Sequence, residues 1–326
     1  MKKQVTSLEK KRETLMANGV IKADLVENVK YQKSQPHGFA LNLCGHCNFR
    51  CSYCPQSTQE FPEEFIEMET VRRLLNDTKD TPSYFQFGTR GENLLHPHFF
   101  DIIHAIKQSN PLHYITLNTN GVMMEGDFAE KVIRSGIDQL TFSLQSIKPE
   151  IYTALTNYQN FDKIINNIIS TIKLRDAKKI NLLIGIQFLN TKENRPFYQE
   201  FVDFWEPYDV YMYSQTPHNW GDKFDFSSHV ETIPDRYPCL YLWLYPSISC
   251  KGNVCSCFAD FYDENNFGNL NEQTLHEIWE NSPVRKKMIE EHLAGQWDKN
   301  PMCKSCKSFT QFENIFKKLG DRFYLP

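Results

Sequence analysis

The chain has 326 residues with 40% hydrophobic and 13% aromatic content, enough to bury a barrel-sized core plus a smaller one, which excludes global disorder. Its formal net charge of −4, with no sustained Lys/Arg run beyond the first residues, argues against a nucleic-acid partner. No apolar stretch reaches spanning length and the N-terminus lacks the apolar segment of a signal peptide, so a cytoplasmic protein without a membrane partner is expected.

Residues 1–36 are polar, with helical stretches near 8–16 and 25–30, and read as a lead-in rather than a domain. After them β-rich and amphipathic runs alternate. Strands are predicted at 38–43, 84–88, 114–117, 139–144, 181–188 and 210–213, mostly apolar or β-branched, as parallel strands covered on both faces would be. Helices are predicted between them at 68–77, 99–108, 128–135, 161–174 and 196–205. Six β–α units with right-handed crossovers make an α/β fold, and at roughly 30 residues per unit they fall short of a full eight-unit barrel. A partial (β/α)6 TIM-like barrel over residues 37–230 is the expectation. The turn-rich stretch 215–228 then leads to short strands around 239–254, helices near 275–279 and 284–293, and a closing cysteine pair, which together read as a small second domain over 231–326.

In a reducing compartment ten cysteines are better explained as metal ligands or reactive thiols than as disulfides. Cys44, Cys47, Cys51 and Cys54 fall within eleven residues, six more follow residue 238, and the 184 residues between hold none. Two metal centres would leave such a gap; scattered core cysteines would not. The first group directly follows the first predicted strand, where parallel α/β folds build their sites. Three thiolates in one tight loop suit an iron–sulfur cluster with one iron left open to a ligand. A zinc knuckle is the competing reading, because Cys-x2-Cys is common in zinc sites.

The spacing of Cys47, Cys51 and Cys54, with Tyr53 before the last, resembles the signature of the radical S-adenosylmethionine (SAM) superfamily; Cys44 is surplus to it. The resemblance implies a [4Fe–4S] cluster whose open iron chelates the amino and carboxylate groups of SAM, with Tyr53 near the adenine. Further segments follow in family order. Residues 87–92 resemble the Gly-Gly-Glu stretch: Gly91 would permit close backbone approach and Glu92 would accept hydrogen bonds from the SAM ammonium, with Arg90 standing where the family has its first glycine. Asn118-Thr119-Asn120-Gly121 looks like the Thr-Asn-Gly turn. Ser143 ends the fourth strand where a hydroxyl typically meets the SAM carboxylate or ribose, and Gln187 closes the fifth. The resemblance covers about residues 37–217.

The downstream cysteines and their surroundings resemble the SPASM/twitch auxiliary-cluster domains that follow many radical SAM barrels. Cys239, Cys257, Cys303 and Cys306 would close a four-thiolate site for one auxiliary [4Fe–4S] cluster. In the family pattern the ligand falls five residues after the turn glycine, here Gly252, which selects Cys257 over Cys255. A structural zinc ribbon uses the same four thiolates. Cys44, Cys250 and Cys255 have no ligand role and read either as small buried hydrophobes or, for Cys250 and Cys255, as the thiol that returns a hydrogen atom to a substrate radical in an epimerase. His218, in the turn after the sixth strand, is either a base at the barrel mouth beside Trp220 or part of a plain turn.

By the resemblance, reductive cleavage of SAM yields a 5′-deoxyadenosyl radical that abstracts hydrogen from an unactivated carbon inside a barrel that excludes water, with flavodoxin or ferredoxin as electron donor. Only 46 residues precede Cys47, too few for the leader-peptide-binding domain of many peptide-modifying members. That favours a small-molecule substrate (a sugar, aminocyclitol or glycosylated metabolite) and dehydrogenation or epimerisation. Peptide or protein maturation is the second reading, and a zinc-stabilised binding module the non-enzyme one.

Overall fold

In the computed structural model residues 35–221, 223–224 and 236–309 are described; the helical stretches predicted in the lead-in and the junction expected at 230/231 lie outside them. Six parallel strands, β1 (Gly38–Leu41), β2 (Tyr84–Phe87), β3 (Tyr114–Thr119), β4 (Gln139–Gln145), β5 (Leu183–Leu189) and β6 (Tyr211–Gln215), lie side by side in chain order. Helices α1 (Met68–Thr78), α2 (Phe99–Ser109), α3 (Gly126–Arg134), α4 (Pro149–Thr156), α5 (Phe161–Ala177) and α6 (Tyr198–Trp205) fill the crossovers. The result is an α/β fold with the barrel-like parallel sheet expected. Only α4 was not anticipated. Its eight residues carry little periodicity, but Pro149 opens its first turn and Asn157 ends it in the left-handed conformation (φ 57°).

The strands are two-faced rather than apolar on both sides. Phe39, Phe85, Leu117, Phe142 and Ile186 point outward into a core completed by helical residues such as Leu74, Ile103, Ile168 and Trp205. The alternate positions, among them Tyr84, Thr116, Thr141, Ser143, Gln187 and Tyr211, bond to one another across the inside of the sheet. The Tyr-Ile-Thr-Leu-Asn text of β3 and the Gln-Leu-Thr-Phe-Ser text of β4 are thus period-2 patterns: oily against the helices, polar toward the lumen.

The cysteine-rich C-terminal segment is not a separate sheet. Its β7 (Ser247–Ile248) pairs in parallel with β1, and β8 (Asn253–Cys255) and β9 (Asn266–Asn269) add antiparallel beyond it, extending one sheet to nine strands among the described residues. Short strands were expected around 239–254, and β7 and β8 supply them, but Tyr241–Leu244 forms a short helix, α7. Leu242, Trp243 and Leu244 are all buried there, and Arg285 closes over the turn by donating Nε to the Leu242 carbonyl at 3.2 Å. Burial on every side, which reads as a strand from the sequence, here reflects packing under α9. Three helices complete the segment: α8 (Leu275–Asn281), opened by a Thr274/Glu277 capping box, then α9 (Pro283–Leu293) and α10 (Pro301–Lys304). Among the described residues no helix is long and apolar enough to cross a membrane.

One buried histidine makes stability pH-dependent. His113, 1% exposed before β3, accepts a hydrogen bond from the Ser83 amide at Nδ1 (2.9 Å); burial, helped by nearby Lys107, pushes its pKa down to about 4. The unfolded chain therefore binds a proton that the native state refuses. Stability is fully present above pH 6.5 and falls as pH drops toward 4, by on the order of 3 kcal/mol from this group. His113→Asn keeps an acceptor for Ser83, so its urea midpoint should lose that part of the acid dependence; an unchanged pH profile would contradict the assignment.

Candidate active site

The chain leaves β1 into the loop that carries Cys44, Cys47, Cys51 and Cys54, at the C-terminal edge of the sheet. Two contacts fix where the loop lies. Leu43 donates its amide to Asn93 Oδ1 at 2.6 Å, and Glu92 donates its amide to the His46 carbonyl at 3.0 Å. Gly91 (φ 61°) sits against this loop so closely that a Cβ would stand 2.4 Å from the His46 oxygen and 2.5 Å from that of Cys44. Gly88 (φ 99°) is equally confined by the Asn118 carbonyl at 2.4 Å. The glycines the loop needs are therefore Gly88 and Gly91. Arg90, between them, lies outside the left-handed region, so a side chain is tolerated there.

The thiols of Cys47, Cys51 and Cys54 face one another, each feeling the charge of a neighbour. Burial pushes Cys51 and Cys54 up to about 12 and Cys47 higher still. Behind them Glu92, 2% exposed, accepts from the Leu94 amide (3.3 Å) on one oxygen and from Thr119 Oγ1 (3.0 Å) and the Asn120 amide (2.9 Å) on the other. Burial still lifts its pKa to about 7. One lone pair remains for a cationic partner. Asn120 donates Nδ2 to Asn48 Oδ1 at 2.7 Å, 3.9 Å from the Cys47 sulfur. Asn118 lies two positions earlier on β3, its backbone against Gly88. The Tyr53 carbonyl accepts from Trp220 Nε1 at 2.8 Å, and the Tyr53 ring lies by Cys51 and Tyr152. Trp220, buried and left-handed (φ 49°), thus props the cysteine loop.

Ser143 and Gln187 meet on the inner face of β4 and β5. Ser143 Oγ (3.5 Å) and the Tyr213 hydroxyl (3.0 Å) donate to Gln187 Oε1, and Gln187 Nε2 donates to Gln215 Oε1 at 2.9 Å. Gln215 in turn donates its amide to His218 Nε2, which leaves the imidazole proton on Nδ1, 3.2 Å from Ser308 Oγ. Burial against Phe258 and Trp220 pushes His218 down to about 4. His218 is the end of a polar chain from the lumen to the C-terminal segment, and acting as a base would require displacing Gln215.

Cys239, Cys257, Cys303 and Cys306 form the second group. Each of Cys239, Cys257 and Cys303 feels the charge of Cys306 and of one further member, and burial raises all three. Arg236 organises the closing pair, donating to the Cys303 carbonyl at 2.6 Å and the Cys306 carbonyl at 3.0 Å. An apolar cluster that includes Ala40, Trp220, Cys257, Phe258 and Phe261 touches both groups, with Cys54 and Cys303 packed against it. The three remaining thiols stay apart from this set. Cys44 and Cys250 are neighbours, with the Cys250 sulfur 3.2 Å from where a Gly45 Cβ would be. Cys255 is fully buried on the same face of the sheet as Ala40 and Ser247, beside Asp263, Asp260 and Arg90.

Among the described residues no three Cys, His, Asp or Glu side chains are drawn onto one point as around a single metal ion. The donor chemistry nevertheless fits iron–sulfur clusters at both places. Three thiols suit a cluster with one open iron, four suit a closed one, and in each the partial burial that disfavours free thiolates is offset by cationic iron. Sequence reasoning passed over Asn42, Asn48 and Asp263, whose roles come from distant partners and leave no local pattern.

The radical SAM superfamily profile matches residues 41–193, and that of the SPASM iron-sulfur cluster-binding domain matches 239–307. Curated relatives include GTP 3′,8-cyclase of Haemophilus ducreyi, 26% identical over 61% of this chain and 61% of that protein, and GTP 3′,8-cyclase of Limosilactobacillus fermentum, 26% identical over 52% and 51%. This chain thus spans between half and two thirds of their length. Solved structures with the same fold include BtrN in complex with AdoMet and 2-DOIA (TM-score 0.58, 19% identity, 83% of this chain and 92% of that one). Streptococcus suis SuiB bound to S-adenosylmethionine is another (TM-score 0.60, 15% identity, 90% and 76%). The two profiles imply SAM and [4Fe–4S] clusters as cofactors, and the second answers the zinc-ribbon alternative in favour of iron and sulfide. The chain belongs to the radical SAM superfamily and carries a C-terminal SPASM iron–sulfur cluster-binding domain.

Proposed function

We propose that this chain binds and reductively cleaves SAM at the Cys47, Cys51 and Cys54 loop, and that it takes a hydrogen atom from a small, hydroxyl-rich molecule without negative charge held in the barrel lumen. When bound, the first cluster and SAM supply a carbon-centred radical, and the auxiliary cluster on Cys239, Cys257, Cys303 and Cys306 supplies an electron acceptor. Glu92 accepts hydrogen bonds from the SAM ammonium, Gly91 lets the backbone approach it, and Asn118, Asn120 and Ser143 present polar groups to its other end. Tyr53 lies on the adenine side. A cytoplasmic reductant such as flavodoxin or ferredoxin completes the system.

The observation that carries the substrate class is the absence of charge on the inward positions of β1 to β6. Gly38, Ala40, Tyr84, Gln86, Tyr114, Thr116, Asn118, Gln139, Thr141, Ser143, Gln187, Tyr211 and Tyr213 offer hydroxyls, amides and aromatic faces but no ionised group. Burying a triphosphate, the group carried by the GTP in the relatives' name, would leave several negative charges without partners there. A polyol or aminosugar ring finds donors and acceptors near the C-terminal ends of the strands in Asn118, Ser143, Gln187 and Tyr213. BtrN, of like fold, was solved with 2-DOIA. Loss of one hydrogen atom, one proton and one electron from such a ring gives a carbonyl. Return of a hydrogen atom from a thiol, for which Cys255 on the inner face is better placed than Cys250, gives an epimer.

The test is substrate-dependent formation of 5′-deoxyadenosine by the reduced, cluster-loaded protein. Neutral polyols and aminosugars should raise it well above the rate without substrate, and GTP should not. Stimulation by GTP or by peptides alone would overturn the small hydroxyl-rich substrate. A carbonyl product points to dehydrogenation, whereas solvent deuterium at an inverted carbon points to epimerisation.

A further inference from the structure

Arg90 is where this chain departs from two consecutive glycines, and its side chain has a purpose of its own. Its backbone amide donates to Asn42 Oδ1 at 2.8 Å, holding it one residue from Gly91, which rests on the Cys44 and His46 carbonyls. Its guanidinium reaches 173 residues down the chain. Nη1 bonds Asp263 Oδ1 at 2.5 Å, Nη2 donates to the Asp260 carbonyl, and the group lies 5.4 Å over the Phe261 ring. The partners are themselves built in. Asp260 accepts the Glu264 and Asn265 amides at 2.8 and 2.9 Å, and its own amide bonds back to the Cys257 carbonyl at 3.2 Å. Asp263, left-handed at φ 59°, accepts from Asn253 Nδ2 of β8 at 2.9 Å. Burial alone would raise the Asp263 carboxyl, yet Arg90 and Asn253 hold it below the usual carboxylate range. At 8% and 17% exposure the pair is screened little by water.

We propose that the Arg90–Asp263 clasp is a positioning device that sets the Cys257 turn against the Gly91–Glu92 loop, so that Arg90 governs SAM binding on one side and the environment of the auxiliary centre on the other. A forked guanidinium suits this work because it engages a carboxylate and a carbonyl at fixed angles, which an ammonium does not. The inference rests on the assignment of Cys257 as an auxiliary ligand.

The experiment uses the full chain with both clusters reconstituted, comparing wild type with R90A, R90K and D263N by electron paramagnetic resonance titrated with SAM. In D263N the SAM concentration that half-saturates the change in the first cluster's spectrum should rise about 10-fold, the range for partners that orient ligands. The auxiliary cluster's g-values should shift while the melting temperature stays within a few degrees. R90K, keeping the charge but not the fork, should fall between D263N and wild type. Wild-type SAM midpoints and unchanged auxiliary g-values in D263N and R90K would overturn the clasp. If R90A fails to fold, near-isosteric D263N decides. Lack of a second cluster signal in wild type would sink the Cys257 assignment instead, and the SAM midpoint would still read the clasp.

Discussion

Cys47→Ala should abolish reductive SAM cleavage while leaving the auxiliary centre in place. Cluster-loaded wild type should carry about eight irons per chain and the variant about four. The physical reason is that three thiols leave one iron open and two do not hold the cluster firmly against a polar ligand. Cys47 is also the thiol beside Asn120, whose amide lies against Glu92. The fold should survive: Cys47 is only partly buried at the edge of the main core. Iron and sulfide analysis paired with dithionite-driven formation of 5′-deoxyadenosine measures both effects. Retained cleavage would refute the role given to this loop.

Cys257→Ser should have the second large effect, with the opposite pattern. Iron should again fall to about four per chain, yet SAM cleavage should persist, now uncoupled from product. The serine keeps the size of the side chain and the Asp260 turn, so what is lost is the fourth thiolate, not the packing. If the substrate is dehydrogenated, its second electron then has no acceptor, and oxidised product should drop below detection. Full product formation with the auxiliary iron absent would refute an electron-accepting role and shift the reaction toward epimerisation. The melting temperature should fall as well, because a cluster that ties Cys239 to α10 staples residues about 60 apart in the chain.

Much of this site was legible before the fold was known, for a simple reason. Cys47, Cys51 and Cys54 lie in one short loop, and ligand spacing within such a loop is a local property. The same holds for Gly91–Glu92 and Asn120, each at the end of its own strand. The sequence misled where a local pattern has two explanations. The all-apolar run at 240–244 is a helix because α9 covers it. His218 stayed open between a base and a plain turn because nothing local shows that Gln215 and Ser308 occupy its two nitrogens. The bond from Trp220 to Tyr53 spans 167 residues and leaves no local trace either.

By itself, then, the sequence determined the α/β layout and two groups of cysteines, which follow from periodicity and from spacing over a few residues, while its resemblance to radical SAM and SPASM motifs implied the family and the cofactors. The tertiary structure alone decided that the inner strand faces form a lumen without charge, since a face exists only when six strands align in register. It also set Cys257, which the family pattern after Gly252 had pointed to, beside the distant Cys303 and Cys306. And it alone joined Arg90 to Asp263, because a buried ion pair between residues 173 apart is made by the closing of the chain, not by any pattern along it.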